Sequence, residues 1–193
     1  MPVLHLLAGP NGSGKSSYVQ DVLFPATGLP FVNADVIAAE QWPDAQAKHA
    51  YLAARLADAQ RADLLAARTS FITETVFSHP SKIALVADAS ALGYLVHLHV
   101  ILVPVELAVR RVTERVRRGG HTVPEEKIRQ RYDRLYGHVA QALKIADVTE
   151  VLDNSSARKP FRVCATYLRG TLVGIADWPN WASPAFTATW GRN

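Results

Sequence analysis

The sequence predicts an α/β fold, a three-layer sandwich with a mainly parallel five-stranded core sheet and helices on both faces. Three observations predict it. Short apolar runs alternate with helical patterns, the order that βαβ units require. The first apolar run leads into the glycine-rich stretch GPNGSGKS, and a helical stretch follows at once. The 193 residues are 49% hydrophobic and 20% charged, which suits one sizeable core. One domain over 1–193 is expected, with a lid at about 110–132 and a C-terminal extension at about 157–193.

The expected strands are Val3–Ala8, Pro30–Asn33, Ser70–Glu74, Tyr94–Val103 and Val148–Asp153. A helix should start at Lys15, directly after the glycines. Residues 44–68 are Ala-rich with neither Gly nor Pro, strong helix composition. Val105, Val109, Val112 and Val116 repeat at helical spacing with arginines opposite. Ile128, Tyr132, Leu135, Val139 and Leu143 do the same, and Pro124 suits the start of their helix. FRVCATYLRG and TLVGIADW are expected to form a β-hairpin around Arg169–Gly170.

A formal charge of +4 and a pI of 9.4 suit an anionic small ligand as well as nucleic acid. Cys164 is the only cysteine, so no internal disulfide can form. The opening MPVLHLLAGP has no basic n-region and no small-residue cleavage site. The most apolar window, Ala91–Val103, is too short to span a bilayer. A cytoplasmic protein without membrane contact is the expectation.

GPNGSGKS fits G-x-x-x-x-G-K-[ST], with Gly9, Gly14, Lys15 and Ser16 in the fixed places. In such a P-loop the glycines let successive N–H groups turn inward toward phosphate oxygens. Gly9, Asn11, Gly12, Ser13, Gly14, Lys15, Ser16 and Ser17 are therefore the expected ATP-binding residues. Lys15 would reach the β- and γ-phosphates, and Ser16 would ligate Mg²⁺. The chain has no Asn-Lys-x-Asp stretch for guanine. Its length and its arginine-rich segment instead suit a small P-loop kinase.

That segment is VRRVTERVRRGGHTVPEEKIRQRY. Arginine forks neutralise the charge of phosphoryl transfer, and a Gly-Gly pair lets a lid close. Arg118, Arg115 and Arg111, in that order, are the expected phosphate contacts, with His121 a secondary candidate. Part of the cluster must be ordinary solvated surface, because five arginines cannot all reach one phosphate.

Asp35 follows Lys15 by 20 positions, at the end of the second expected strand. Ligands of open α/β sheets sit at that edge. An acid there can take a proton from a hydroxyl or hold Mg²⁺ through water. The competing reading is a helix N-cap, but Ala38 stands where a capping box wants Glu or Gln. Glu74 and Thr75 end the third strand at the same edge, as acceptor-side candidates. Two acids beside one phosphate site call for a metal or basic groups between them.

Asn154, in DNSS, closes the fifth strand and is expected near the nucleotide; an Asx turn is the plain alternative. His97 and His99 alternate and share a face, and with no third ligand candidate nearby a packed pair is expected. Trp178, Trp181 and Trp190 are expected to pack the tail onto the domain.

AGPNGSGKSS, VNADVIA, SFITETVFS, ERVRRGGHTVPEEKIRQRY and VLDNSS, in this order, resemble the zeta-toxin family of P-loop kinases. The resemblance covers roughly residues 3–156. It implies an ATP- and Mg²⁺-dependent kinase, and the best-known toxins of the family phosphorylate a hydroxyl of UDP-N-acetylglucosamine. It implies Asp35 as catalytic base, Lys15 as phosphate lysine, Glu74 as an acid that helps build the acceptor site, and an antitoxin as partner. This chain is more compact than the classical toxins.

Three functions follow in order. The first is an ATP-dependent kinase acting on a small hydroxyl-bearing substrate such as a nucleotide sugar. The second is a nucleotide-binding switch or slow ATPase that works through a partner. The third is a nucleic-acid end kinase, ranked last because the basic residues cluster at the lid without an aromatic stripe.

Overall fold

The computed structural model describes residues 1–118, 120, 123–182, 187 and 190. Seven strands form one sheet in the order β2-β3-β1-β4-β5-β6-β7. They are β1 Val3–Ala8, β2 Phe31–Val32, β3 Phe71–Thr75, β4 Leu95–Leu102, β5 Val148–Asp153, β6 Arg162–Leu168 and β7 Thr171–Val173. β2, β3, β1, β4 and β5 pair in parallel. β6 joins β5 antiparallel, and β7 joins β6 in the same sense. The expected hairpin therefore widens the sheet from five strands to seven. Arg169 and Gly170 turn it with φ of 47° and 81°, the left-handed pair of a type I′ turn.

Strand centrality explains the sequence pattern. β1 and β4 are flanked on both sides, and Leu4, Leu6, Leu7, Val96, Leu98, Val100 and Ile101 are fully buried. Strands covered on both faces read as near-continuous apolar runs. β2 keeps two residues of the expected four because it lies at the edge and pairs only with β3.

The helices are α1 Lys15–Tyr18, α2 Phe24–Thr27, α3 Ala34–Gln41, α4 Gln46–Ala66, α5 Ser81–Ala91, α6 Val105–Arg117 and α7 Glu125–Ala142. α1 and α2 are one helical run joined by a π-helical turn, Val19–Leu23. Pro25, which has no N–H for a carbonyl four residues back, follows that turn. The larger core cluster packs Leu4, Leu6, Val96 and Leu98 against α4, α5 and α7. The other face buries Leu7, Ile72, Ile101 and Leu152 under Tyr18, Val19 and Leu23. A third cluster, Val103, Ala108, Val112 and Ile128, joins the bases of α6 and α7.

The tryptophans pack as expected. Trp190 is 3% exposed, and its carbonyl accepts the Tyr167 hydroxyl at 2.6 Å. Among the described residues, no helix is long and apolar enough to cross a membrane.

The expectation of an isolated His97–His99 pair is corrected here. β1 runs beside β4 with His5 opposite His97. The ring centroid of His5 lies 5.4 Å from that of His97 and 5.3 Å from that of His99, so a third imidazole completes the group. Strand pairing across 92 residues is what the sequence does not display.

Candidate active site

The P-loop leaves β1 and enters α1 at the carboxyl edge of the sheet. Gly12 and Gly14 have φ of 77° and 93°, which side chains resist. A Cβ on Gly14 would lie 2.5 Å from Asn154 Nδ2, and one on Gly12 would lie 2.7 Å from the Ala108 carbonyl. Two clamps hold this backbone. Asn154 Nδ2 donates to the Ser13 carbonyl at 2.8 Å. Arg111 donates to the carbonyls of Asn154 at 3.0 Å and Gly12 at 3.4 Å. Asp153, one residue earlier, forms the Asx turn by accepting the Ser155 N–H at 2.9 Å.

Lys15 is buried, and its amine donates at 3.0 Å to the carbonyls of Gly9 and Pro10. Burial lowers its pKa, against the carboxylates of Glu74 and Asp35, which raise it. Ser13 Oγ is buried without a hydrogen-bond partner. Ser16 and Ser17 are exposed on the cleft.

Ser16 Oγ donates to both carboxylate oxygens of Glu74, at 3.0 and 3.2 Å. β3 lies beside β1, with Leu7 opposite Glu74, and that register brings the acid to the hydroxyl. Burial raises the Glu74 pKa, while Lys15 and the Ser16 hydrogen bond pull it down.

Asn33, not Asp35, caps α3. Its Oδ1 accepts the Asp35 N–H at 2.7 Å. Asp35 sits exposed in the first turn with its carboxylate on the cleft. Thr75 Oγ1 accepts the Phe77 N–H at 3.0 Å, a bond within the turn after β3.

Two cavities adjoin here. One of about 530 Å³ lies over the P-loop and reaches Arg111, Asn154 and Phe161. The other, of about 360 Å³, lies toward α4 and reaches Asn33, Arg61, Thr75, Lys82 and Arg131. Asn11, Lys15, Asp35, Glu74 and Arg115 line both. Five cations and three acids border the second cavity, so its field favours an anionic guest.

The order of the arginines is corrected. Arg118 lies outside both cavities, with its side chain 77% exposed and paired to Glu114 at 2.9 Å. It follows Arg111 by seven positions as the C-cap of α6, where it borders a smaller cavity of about 280 Å³ with Arg111 and Arg115. Arg111 and Arg115, one turn apart, face the cleft. Arg131 extends from α7 with Nη1 3.5 Å from Asn11 Oδ1. His121 lies outside the described residues.

Arg61 was not anticipated. It is 9% exposed, donates to Thr73 Oγ1 at 3.3 Å and pairs with Asp58, which also meets Lys82. The signal was present: Ala53, Ala57, Arg61 and Leu65 recur every four residues as the buried stripe of α4. A lone arginine in such a stripe must find a polar partner or a ligand.

No curated protein matches the chain by sequence. Among solved structures, a chain of the AvrRxo1-ORF1:AvrRxo1-ORF2 complex with sulphate ions superposes with a TM-score of 0.71 at 16% identity. The match covers 90% of this chain and 60% of that one, so this chain spans less than two thirds of that neighbour. A structure of the PezAT toxin–antitoxin system of Streptococcus pneumoniae gives 0.59 at 14% identity, covering 79% of this chain and 68% of that one. Shikimate kinase from Acinetobacter baumannii in complex with shikimate gives 0.53 at 18% identity, covering 81% and 86%. These likenesses are of fold. The model of AAA_33, an AAA domain family, matches residues 4–138, and the chain belongs to that family.

Proposed function

We propose that this protein is an ATP-dependent phosphotransferase that phosphorylates a hydroxyl of a small, negatively charged substrate. The observation that carries the reading is the shared wall of the two cavities. A P-loop cavity adjoins a second cavity rich in cations, and Lys15, Asp35, Glu74 and Arg115 border both. An ATPase without an acceptor has no need of the second cavity.

The residues suit the groups they would hold. Positive-φ glycines, the buried amine of Lys15 and the unpartnered Ser13 hydroxyl make a cradle for phosphate. Ser16 and Glu74 form a hard oxygen donor set suited to Mg²⁺. When bound, Mg²⁺ supplies charge neutralisation between phosphate oxygens.

Lys15 exchanges its two backbone carbonyls for phosphate oxygens. Asp35, whose carboxylate makes no hydrogen bond among the described residues, accepts the proton of the acceptor hydroxyl as its oxygen bonds to the γ-phosphorus of ATP and the bond from that phosphorus to ADP breaks. Arg115 and Arg131 neutralise the transferring phosphoryl group and the acceptor's own charge. Arg61 and Lys82 hold the far end of the acceptor. A nucleotide sugar meets these demands, and UDP-N-acetylglucosamine is the first member to try. The likeness of this chain to a structure of the PezAT toxin–antitoxin system supports an antitoxin-type protein partner as a further proposal.

Labelled ATP incubated with nucleotide sugars and nucleotides tests the reading. Asp35→Asn should retain ATP binding and lose transfer, whereas Lys15→Ala should weaken both. Transfer that survives Asp35→Asn would remove the base assignment, and ATP hydrolysis without any labelled acceptor would favour the ATPase.

A further inference from the structure

Away from the nucleotide cleft, the sheet carries a polar cluster that the phosphotransfer does not use. His5 of β1, His97 and His99 of β4 and Glu150 of β5 stand on one face of three adjacent strands. The pairing puts His5 opposite His97 and His99 opposite Glu150. This is the face that the α1–α2 run covers, and the rings of Tyr18 and His99 lie 5.5 Å apart.

One candidate ligand atom from each of the three histidines lies within 4.8 Å of the other two. His5 Nδ1 is 3.0 Å from His99 Nε2. Glu150 Oε2 is 3.0 Å from His97 Nε2 and 3.4 Å from His99 Nδ1. Ligands about 2.0–2.1 Å from a tetrahedral zinc ion stand about 3.4 Å from one another. The His5–His99 pair stands near that spacing, and a ring nitrogen of His97 lies within 4.8 Å of both.

A plain hydrogen-bond chain is the competing account, and it leaves a defect. His99 is 1% exposed, and its buried Nδ1 has only the Glu150 carboxylate beside it, at a long 3.4 Å. A buried polar atom left unpaired is costly. Burial, with His99 and His97 adding, holds His5 down to about 4, and burial lowers His99 as well.

We infer that His5, His97 and His99 bind one divalent transition-metal ion of the zinc class, with Glu150 as the carboxylate that orients and neutralises the site. Three imidazoles select Zn²⁺ and its neighbours over Mg²⁺, which takes oxygen donors. A carboxylate beside a ligating imidazole fixes its tautomer and strengthens its bond to the metal. Glu150 faces two of the three rings. The ion would tie β1, β4 and β5 together beneath Tyr18, two residues beyond Ser16. Its role is to brace the sheet that carries the P-loop, separate from the Mg²⁺ site at Ser16.

The test uses the full chain stripped of metal with a chelator, then titrated with ZnCl₂ against a chromophoric competitor. Metal content is measured by elemental analysis and thermal unfolding is followed in parallel. One Zn²⁺ per chain, a Kd of about 1 μM or tighter and a rise in Tm are expected. His5→Ala and His97→Ala should each abolish that binding. Glu150→Gln should weaken it by roughly 10- to 100-fold. Replacement by Co²⁺ should give the intense visible absorption of a four-coordinate site. His5→Gln keeps a polar side chain on the strand and covers the case in which His5→Ala fails to fold. Asp35→Asn should leave zinc affinity unchanged. Absence of stoichiometric binding overturns the inference. So does zinc that survives both His5 substitutions, or zinc that is lost with Asp35→Asn instead.

Discussion

Asn154 offers the sharpest test of how the phosphate loop is held. Its Nδ2 donates to the Ser13 carbonyl at 2.8 Å in a buried position, 141 residues apart in sequence. Asn154→Ala removes that bond and leaves the Ser13 carbonyl without its partner. A buried neutral hydrogen bond is worth about 1 kcal/mol net, and an orphaned buried acceptor costs about 1–3 kcal/mol. The two describe one loss from two sides, so the expected destabilisation is about 2 kcal/mol. For a chain of this size that lowers Tm by roughly 4–8 °C. The loop also loses one of its two clamps, so ATP affinity should fall by about tenfold or more, the equivalent of about 1.4 kcal/mol. Urea denaturation gives the first quantity, and fluorescent-nucleotide displacement gives the second. Asn154→Asp is the decisive companion. It nearly preserves size but puts a carboxylate oxygen against the Ser13 carbonyl, so it should be worse than alanine in both assays. An Asp variant as good as the wild type, or an Ala variant within twofold in affinity and unchanged in Tm, refutes the clamp.

Three further outcomes can be measured. Gly14→Ala, which forces a Cβ into a φ of 93° and to within 2.5 Å of Asn154 Nδ2, should lose ATP binding and at least about 2 kcal/mol of stability; an unaltered Tm would show that the loop relaxes freely. Arg115→Ala should cut phosphotransfer by roughly 10²-fold or more, whereas Arg118→Ala, on an exposed i,i+4 pair, should change it by less than about twofold; the reverse order would return Arg118 to the cleft. Glu74 has its pKa raised by burial, so the stability it contributes is present below the ordinary glutamate value of about 4.3 and is lost as pH rises through the raised value. Ligand-free Glu74→Gln should therefore lose less Tm than the wild type between that pH and neutrality, and equal pH slopes for the two proteins would contradict it.

What was legible in the sequence was what short range encodes. β1 and β5 were expected with the bounds they have, because an apolar run with turn residues at both ends is a local property. The P-loop was legible because eight consecutive residues carry its chemistry. Asp35 was located by its position after a strand, although its neighbour Asn33, two residues back, proved to be the cap. The π-helical turn before Phe24-Pro25 was not foreseen, since a proline there reads equally as a helix start.

The tertiary structure decided everything that depends on which strands lie side by side. Ser16 meets Glu74 because β1 and β3 are neighbours, and Asn154 reaches Ser13 because β5 ends beside the loop. Arg111 and Arg118 carry the same charge in the same cluster, yet Arg111 donates to the loop while Arg118, two turns further on at the C-cap of α6, pairs with Glu114 in solvent. His97 and His99 gained His5 as a third member only through the β1–β4 register. Residue type and local pattern determine which chemistry is available. The pairing order of the sheet, a balance of contacts over the whole chain, determines which of those groups come within a few ångströms of one another.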